Sequence, residues 1–354
     1  MNPKKSLQPE AYTVGWVCAL PKEQTAATAM LDERHETPPK PPSDKNTYTV
    51  GSISGHNVVI ACLPKGTIGT NAATTVATSM TSTFTSIKFG LLVGIGGGIP
   101  PKVRLGDVVV STPVNEHPGV VQWDLGKAED EGTFKRIGAL DRPPSALLTA
   151  ITTLETQHAI EGCTVPKLVD EMTKRWPALA AKYSKPDFSK DLLFRKNYHH
   201  QDQRVESSES QLGGPSETSS QAEEDEEEYD EDDEELCKFC NHARLVERKP
   251  REMKIHYGLI ASGNQVIKDA GFREKINQQL GGNVLCFEME AAGLMNNFPC
   301  IVIRGICDYA DSHKNYSWQE HAAAVAAAFA KEFLSIVPIY AVEQLPKIIG
   351  NSIL

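Results

Sequence analysis

The sequence predicts an α/β protein built around a substantially parallel sheet. Short apolar runs alternate with helical patterns along most of the 354 residues, and this alternation is typical of parallel strands joined by helices. The composition, with 40% hydrophobic and 23% charged residues, excludes collagen-like, coiled-coil and wholly disordered proteins. One long polar stretch interrupts the alternation, which then resumes, so we expect a single discontinuous domain.

The first half of the chain begins with a predicted strand at 12–19 and a helix at 22–31. Ser54 and Gly55 separate two apolar runs, which predicts a hairpin of strands 48–53 and 58–63. A helix of small residues is predicted at 70–84, followed by strands at 89–93 and 107–111.

The second half is interrupted by the polar stretch. Helices are predicted at 145–157 and 166–183 before it. After it the pattern predicts strands at 256–261, 284–287 and 300–307, and helices at 265–280, 289–297 and 318–336. We therefore assign 12–190 and 250–345 to one domain and expect a flexible N-terminus over 1–11.

The stretch 191–249 is predicted to be an acidic, low-complexity insert. Between 197 and 235 it consists mainly of Gln, Ser, Gly, Glu and Asp. It cannot bury enough apolar surface to offset the entropy of ordering, so we expect disorder and interpret the tract as a solvated spacer. The run 223–235 holds twelve carboxylates, more than the whole net charge of −10. The remaining chain has no Lys/Arg-rich stripe, which argues against nucleic-acid binding.

Nothing in the sequence predicts membrane contact. No run reaches the ~18 apolar residues of a transmembrane helix, and the N-terminus lacks the apolar core of a signal peptide. Five of the eight cysteines lie in strand-like apolar runs, which is typical of reduced core thiols rather than disulfides. We expect a cytoplasmic protein, with the nucleus as the alternative.

Cys237 and Cys240 form a close pair just after the acidic run. His199 and His200 lie before the run and His242 lies after it, which would permit a zinc clasp across its base. A single Cys-x-x-Cys is a weak zinc signal, and a loop with reduced thiols is the other interpretation. We predict no catalytic metal.

A glycine run, 94–98, follows the predicted strand 89–93 and is interpreted as a strand-end loop. Pro100 and Pro101 stand where a dinucleotide-binding helix would begin, and no Gly-Lys-Ser/Thr sequence is present, so no nucleotide cofactor is predicted. The missing Cβ atoms would let a small ligand approach closely. A tight connection without a ligand remains the alternative.

Acidic residues mark two further strand ends. Glu288 and Glu290 lie at a predicted strand-to-helix junction, where carboxylates either cap the helix or act in catalysis. Asp308 ends the apolar run 300–307. Partial desolvation there would raise the pKa of its carboxyl group, as a general acid requires, whereas the alternative is an N-cap for the next turn.

Five segments together carry a family resemblance: 18–23 (Cys-Ala-Leu-Pro-Lys-Glu), 93–99, 260–264 (Ile-Ala-Ser-Gly-Asn), 287–291 (Phe-Glu-Met-Glu-Ala) and 304–308 (Arg-Gly-Ile-Cys-Asp). In this order they resemble the purine and uridine phosphorylase superfamily, and are most similar to a fungal branch found as effector modules beside NACHT domains. The resemblance covers 12–185 and 250–337. It implies a three-layer phosphorylase/hydrolase-like fold with a mixed, largely parallel twisted sheet.

The resemblance also implies roles for individual residues. Asp308 would protonate the leaving purine, and Glu290 would hold the ribose hydroxyls above Met289 as positive charge develops on the sugar. Arg304 would steady the carboxylates. Further substrate contacts are expected from Gly96, Gly97, Asn264 and Val266.

The entering nucleophile distinguishes hydrolysis from phosphorolysis. Phosphorylases of the superfamily hold phosphate with an Arg at the position of Leu92, whereas nucleosidases activate water with a Glu at the position of Glu23. The resemblance therefore favours a purine nucleosidase, with a nucleoside phosphorylase as the alternative. Ile95 stands where the superfamily usually has a Ser in the glycine segment. This difference leaves a catalytically silent nucleotide-binding signalling module as a further alternative.

Substrates and assembly are also implied by the resemblance. Adenosine-type nucleosides and adenine nucleotides, including ATP, are the expected substrates, and a homo-oligomer is the expected assembly. Lys22, Lys65, His313 and Lys314 are candidates to contact a 5′-phosphate, although each is better explained as an ordinary surface charge.

Overall fold

A computed structural model describes residues 4–129, 134–201, 237–314 and 316–348. Its centre is a mixed sheet of eleven strands in these ranges, with a separate antiparallel pair, β9 and β10. The strands are β1 (Lys5–Ser6), β2 (Val14–Cys18), β3 (Glu33–Glu36), β4 (Tyr48–Ile53), β5 (His56–Cys62), β6 (Phe89–Gly98), β7 (Val108–Ser111), β8 (Val120–Gln122), β9 (Gly126–Ala128), β10 (Phe134–Arg136), β11 (Ile255–Ser262), β12 (Val284–Glu288) and β13 (Cys300–Asp308).

The order of hydrogen-bonded strands is β1-β3-β4-β5-β2-β6-β12-β11-β7-β13, and β8 also pairs with β11. The strand β6 pairs in parallel with β2 and β13 and antiparallel with β12. Since β13 pairs with both β7 and β6, a closed ring is formed by β6, β12, β11, β7 and β13. The predicted α/β class with a mixed, largely parallel sheet is confirmed.

Helices cover both faces of this sheet. They are α1 (Pro21–Met30), α2 (Thr70–Thr83), α3 (Ser145–Glu161), α4 (Val165–Arg175), α5 (Ala180–Tyr183), α6 (Ala270–Gln279), α7 (Gln319–Ile336) and α8 (Ile339–Gln344). Successive strand residues point to opposite faces: Trp16 and Leu91 join the core under α1, α3, α4 and α7, whereas Val17 and Leu92 join the core under α2. Three layers result, as expected.

The glycine run is part of a strand, which corrects the loop interpretation. Gly94 and Gly96 pair with Arg304 and Ile306 of β13, and Gly97 pairs with Phe287 of β12. Glycine is normally depleted in strands, but here two other strands converge on β6 at once. The missing side chains make room for that convergence.

Three predicted helices are shorter than expected. The predicted helix 166–183 is divided because Pro177 has no N–H to donate, and α4 ends before it. The helix predicted to begin at 265 begins at Ala270, where the Asp269 side chain caps the N–H of Gly271 at 2.7 Å. In place of the helix predicted at 289–297, the structure has only a short 3₁₀ turn at Ala291–Gly293.

Both ends of the predicted insert pack onto the domain. Leu193 and Phe194 are buried, and Phe194 forms a β-bridge with Leu245 across the two ends. The insert predicted at 191–249 therefore has structured flanks, whereas its acidic run lies outside the described residues. In the described ranges, none of the helices combines the length and apolar character needed to cross a bilayer.

Candidate active site

One cavity of about 230 Å³ collects the predicted acids at the ends of three strands. Glu23 projects from the first turn of α1, just after β2, and Glu290 follows β12. Asp308 is the last residue of β13. All three line the cavity. Residues separated by nearly 300 positions thus surround one space at the carboxyl ends of the strands, where α/β proteins bind ligands.

The Glu23 carboxylate is held by backbone donors. Its Oε2 accepts the N–H groups of Ala19 at 2.7 Å and Leu20 at 3.0 Å, and its Oε1 accepts the N–H of Ile95 at 2.8 Å. A carboxylate has about four lone-pair positions, so about one remains for a ligand or water. Burial raises the pKa of Glu23, although Arg304 and these N–H groups oppose the shift. A raised pKa makes this carboxylate a stronger base.

Arg304 lies at the centre of the acids and is 1% exposed. Its Nη2 donates to Glu288 and, at 3.2 Å, to Glu290. The N–H of Gly69 also donates to Glu290, at 3.3 Å. Burial raises the pKa of Glu290 to about 7, the charges of Glu288 and Glu23 add to the shift, and Arg304 opposes it. Glu290 therefore changes its charge near neutral pH.

Two glycines of β6 are required by this packing. A Cβ atom at Gly94 would lie 2.6 Å from Nη1 of Arg304 and would also meet the Glu23 carboxylate. A Cβ atom at Gly97 would lie 2.8 Å from Oδ1 of Asp308. Both distances are shorter than any ordinary contact of a carbon atom, so side chains at these positions would displace the charged groups.

Asp308 is paired with a cation, Lys314. Its Oδ2 accepts from Nζ of Lys314 at 2.8 Å and its Oδ1 accepts from the N–H of Ala310 at 2.7 Å. Burial alone would raise the pKa of Asp308, but these donors outweigh burial and the net pKa is lowered. This direction is opposite to the raised pKa that partial desolvation of a strand-end acid would produce, because apolar periodicity carries no signal that Lys314 turns inward.

Most of the predicted site residues line the cavity. Besides the three acids these are Gly96, Gly97, Val266, Met289 and Arg304. Asn264 is not among the lining residues. Its Oδ1 accepts the N–H of Thr70 at 3.0 Å, and its own N–H donates to Asp124 at 2.7 Å, so it joins the loops beside the cavity.

The lining also includes Phe287 and Glu288, which were not predicted to bind substrate, and Lys314, which was considered only as a phosphate contact. Phe287 is the aromatic member among the described lining residues. Glu288 accepts the N–H of Glu290 at 3.1 Å and of Ala291 at 3.0 Å, so the capping interpretation holds for it. Its position two residues before Glu290 was the sequence feature that could have identified Glu288 as a lining residue.

The candidate phosphate contacts are already ion-paired, stacked on another ring or exposed. Lys22 pairs with Glu320 at 2.9 Å, and Lys314 pairs with Asp308. His313 stacks on Phe194 with 4.1 Å between ring centroids. Lys65 is exposed in the loop before α2. Leu92, at the position expected to hold phosphate in phosphorylases, is buried in the core and does not line the cavity.

Comparison with known proteins agrees with this fold. Residues 13–160 match the model of the Phosphorylase superfamily, a range that includes Glu23 and β6. A nucleotide-binding leucine-rich repeat (NLR)-like protein of Hyaloscypha variabilis is 44% identical over 94% of this chain. The chain spans only 30% of that relative's length.

Nucleosidases resemble the chain over their full length. A 5′-methylthioadenosine/S-adenosylhomocysteine nucleosidase of Mycobacterium bovis is 22% identical, covering 93% of this chain and 98% of its own. The crystal structure of the Neisseria meningitidis nucleosidase of the same name, in complex with methylthio-immucillin-A, superposes with a TM-score of 0.54 at 16% identity. The two chains are covered to 91% and 98%. The family match assigns residues 13–160, from β2 into α3, to the Phosphorylase superfamily, and the three-layer fold of the chain agrees with that match.

Proposed function

We propose that this chain is an N-ribohydrolase that cleaves the glycosidic bond of adenine nucleosides with water. The observation that supports the proposal most is the convergence of Glu23, Glu290 and Asp308 on one cavity. Cleavage of a glycosidic bond passes through a sugar with cation-like character, and carboxylates on its two sides stabilise and exploit that charge. The full-length relatives named as nucleosidases support the same reaction class.

The charge of the cavity favours water over phosphate as the nucleophile. Its charged lining residues in the described ranges are Glu23, Glu288, Glu290, Asp308, Arg304 and Lys314. Acids outnumber cations, and both cations are already ion-paired. An anionic phosphate would have to displace a carboxylate from its partner. The same charge balance favours uncharged nucleosides over AMP or ATP.

The ionised state of Asp308 favours adenine. A carboxylate accepts a hydrogen bond from the 6-amino group of adenine, whereas it repels the 6-oxo group of hypoxanthine. Asp308 takes a proton from solvent and passes it to the purine imidazole nitrogen, while Lys314, which donates to Asp308 at 2.8 Å, orients the carboxylate. The C1′–N9 bond then breaks with its electron pair moving onto the purine. Phe287 is the lining ring available to pack against the base.

Water completes the reaction from the opposite side of the sugar. Glu23 retains about one free acceptor position for that water and takes its proton as the oxygen bonds to C1′. Glu290 holds the ribose hydroxyls and, when ionised, stabilises the positive sugar. Nucleoside and water are converted into free base and ribose, and the protons return through solvent.

The direct test is a product analysis with matched substrates. Purified protein is incubated with adenosine, inosine, 5′-methylthioadenosine, AMP and ATP, with and without inorganic phosphate. We expect free adenine and a reducing sugar, faster release from adenosine than from inosine or ATP, and no dependence on phosphate. Ribose 1-phosphate as the product would replace the hydrolase by a phosphorylase. Nucleotide binding by calorimetry without base release would instead support a catalytically silent signalling module. This is the second candidate function because one relative is named as an NLR-like protein.

The pH dependence should report the ionisation of Glu290. Because the pKa of Glu290 is raised to about 7, this group is protonated below that pH and cannot stabilise a cationic sugar. We expect kcat/KM for adenosine to rise as the pH increases through about 7. Glu290→Gln should remove most activity and this limb of the profile together. A wild-type profile that is flat between pH 5 and 8 would contradict the role.

A further inference from the structure

We propose that His200, Cys237 and Cys240 form a zinc site that is completed by His313. The zinc would join the two described ends of the acidic insert to the turn 310–314, which follows β13 and carries Lys314. The three ligand atoms lie within 4.8 Å of one another. They come from the described residues on either side of the segment 202–236. This site is separate from the proposed hydrolase chemistry and does not depend on it.

The distances agree with tetrahedral zinc. The Nδ1 atom of His200 lies 3.3 Å from Sγ of Cys240 and 3.9 Å from Sγ of Cys237. Zinc bonds of about 2.3 Å to sulfur and about 2.0–2.1 Å to nitrogen place S and N ligand atoms roughly 3.6 Å apart at a tetrahedral angle. The two observed separations bracket that value. An adventitious grouping of exposed side chains would not include Cys240, which is buried.

His313 is the candidate for the fourth ligand. Its ring lies 5.6 Å from the ring of His200, centroid to centroid, at an interplanar angle of 87°. The residue is 7% exposed, yet its Nε2 has no hydrogen-bond partner in the part of the chain that the structure describes. A buried polar atom without a partner is costly. Coordination to zinc would satisfy it once the ring turned towards the other three ligands, since His313 lies outside their 4.8 Å group.

The other ring nitrogen of His313 faces an acid. Its Nδ1 lies 3.8 Å from a carboxylate oxygen of Asp311, which is an electrostatic contact longer than a hydrogen bond. His242 is a poorer candidate, because its Nε2 contacts the backbone carbonyl of Cys237 at 3.4 Å. The ligand set is therefore two thiolates and two imidazoles, which is a common set for structural zinc.

The clasp would hold the turn that carries Lys314. The backbone N–H of His200 donates to Oγ of Ser312 at 3.0 Å, so the insert already contacts this turn. His313 is followed directly by Lys314, the partner of Asp308. Zinc would thus hold both ends of the insert and the cation beside the proposed acid in one rigid unit.

Metal analysis of the whole chain tests the site. Protein produced in zinc-supplemented medium and purified without chelator should contain about one zinc ion per chain. The content should fall at least about tenfold in Cys240→Ser and in His200→Ala. Cobalt substituted for zinc should give the visible bands of tetrahedral geometry and a thiolate charge-transfer band, and both should be lost in Cys240→Ser.

Cys163→Ser is the matched control. Cys163 belongs to a different group of possible ligands, with His158 and Glu332, and should leave the zinc content unchanged. Loss of zinc from Cys163→Ser but not from Cys240→Ser would overturn the proposal. So would a zinc-free wild-type protein in which mass spectrometry finds a Cys237–Cys240 disulfide.

Two measurements keep the test decisive if a variant fails to fold. In zinc-loaded wild-type protein, Cys237 and Cys240 should resist alkylation and should become reactive once a chelator removes the metal. Equal reactivity before and after chelation would contradict the site. His313→Ala should weaken zinc binding at least about tenfold, and unchanged affinity would exclude His313 as the fourth ligand.

Discussion

Asp308→Asn is expected to lower kcat for adenine release by about 100- to 10,000-fold, the usual contribution of a general acid. Asparagine keeps the shape of the side chain and can still accept the N–H of Ala310, which donates to Asp308 at 2.7 Å. It cannot relay a proton to the purine, and it leaves the Lys314 ammonium without its carboxylate. The measurement is single-turnover release of adenine under saturating protein.

Asp269→Asn provides the matched control for this substitution. Asp269 is exposed and caps α6, and asparagine is an equally good cap, so both activity and stability should be unchanged. Thermal unfolding of Asp308→Asn should show that the fold is intact. Full activity in Asp308→Asn would remove the assigned acid, whatever the reaction products are.

The fold was predictable because its signals are local. The hairpin around Ser54 and Gly55 and the strands of the centre follow from apolar periodicity and turn residues, and the structure confirms them. The glycine run was misinterpreted because glycine in a strand is favoured only by tertiary packing. That packing comes from Phe287 and Arg304, about 190 and 210 positions later in the chain.

The acids of the candidate site and Arg304 were predictable, but the pairing of Lys314 with Asp308 was not. Glu23, Glu290 and Asp308 stand at strand ends, which a sequence pattern can locate. The pairing of Lys314 with Asp308 depends on a turn in which Ala310 adopts a positive φ of 49°, and a non-glycine residue rarely does so. Sequence periodicity gives no signal for such a turn, so the lowered pKa of Asp308 could not be foreseen.

Arg304→Met should destabilise the fold by about 3–5 kcal/mol, the usual cost of removing one partner from a buried ionic group. Glu288 and Glu290 would lose the guanidinium donor, and Glu23 would lose its nearby positive charge. Methionine approximates the length and volume of the arginine stem, so cavity formation contributes little. The measurement is the free energy of unfolding from urea titration, followed by circular dichroism.

The effect of pH distinguishes lost charge from lost packing in Arg304→Met. Without the guanidinium, the pKa of Glu290 should rise further above its unfolded value, because the opposing influence of Arg304 is removed. A carboxyl group whose folded pKa is raised favours the folded state at low pH, and this contribution is lost as the pH rises towards the folded pKa. The destabilisation should therefore be larger at pH 8 than at pH 5, and Glu288→Gln in the same chain should recover part of it. A loss that is equal at both pH values, and unaffected by Glu288→Gln, would mean that Arg304 stabilises the site by packing alone.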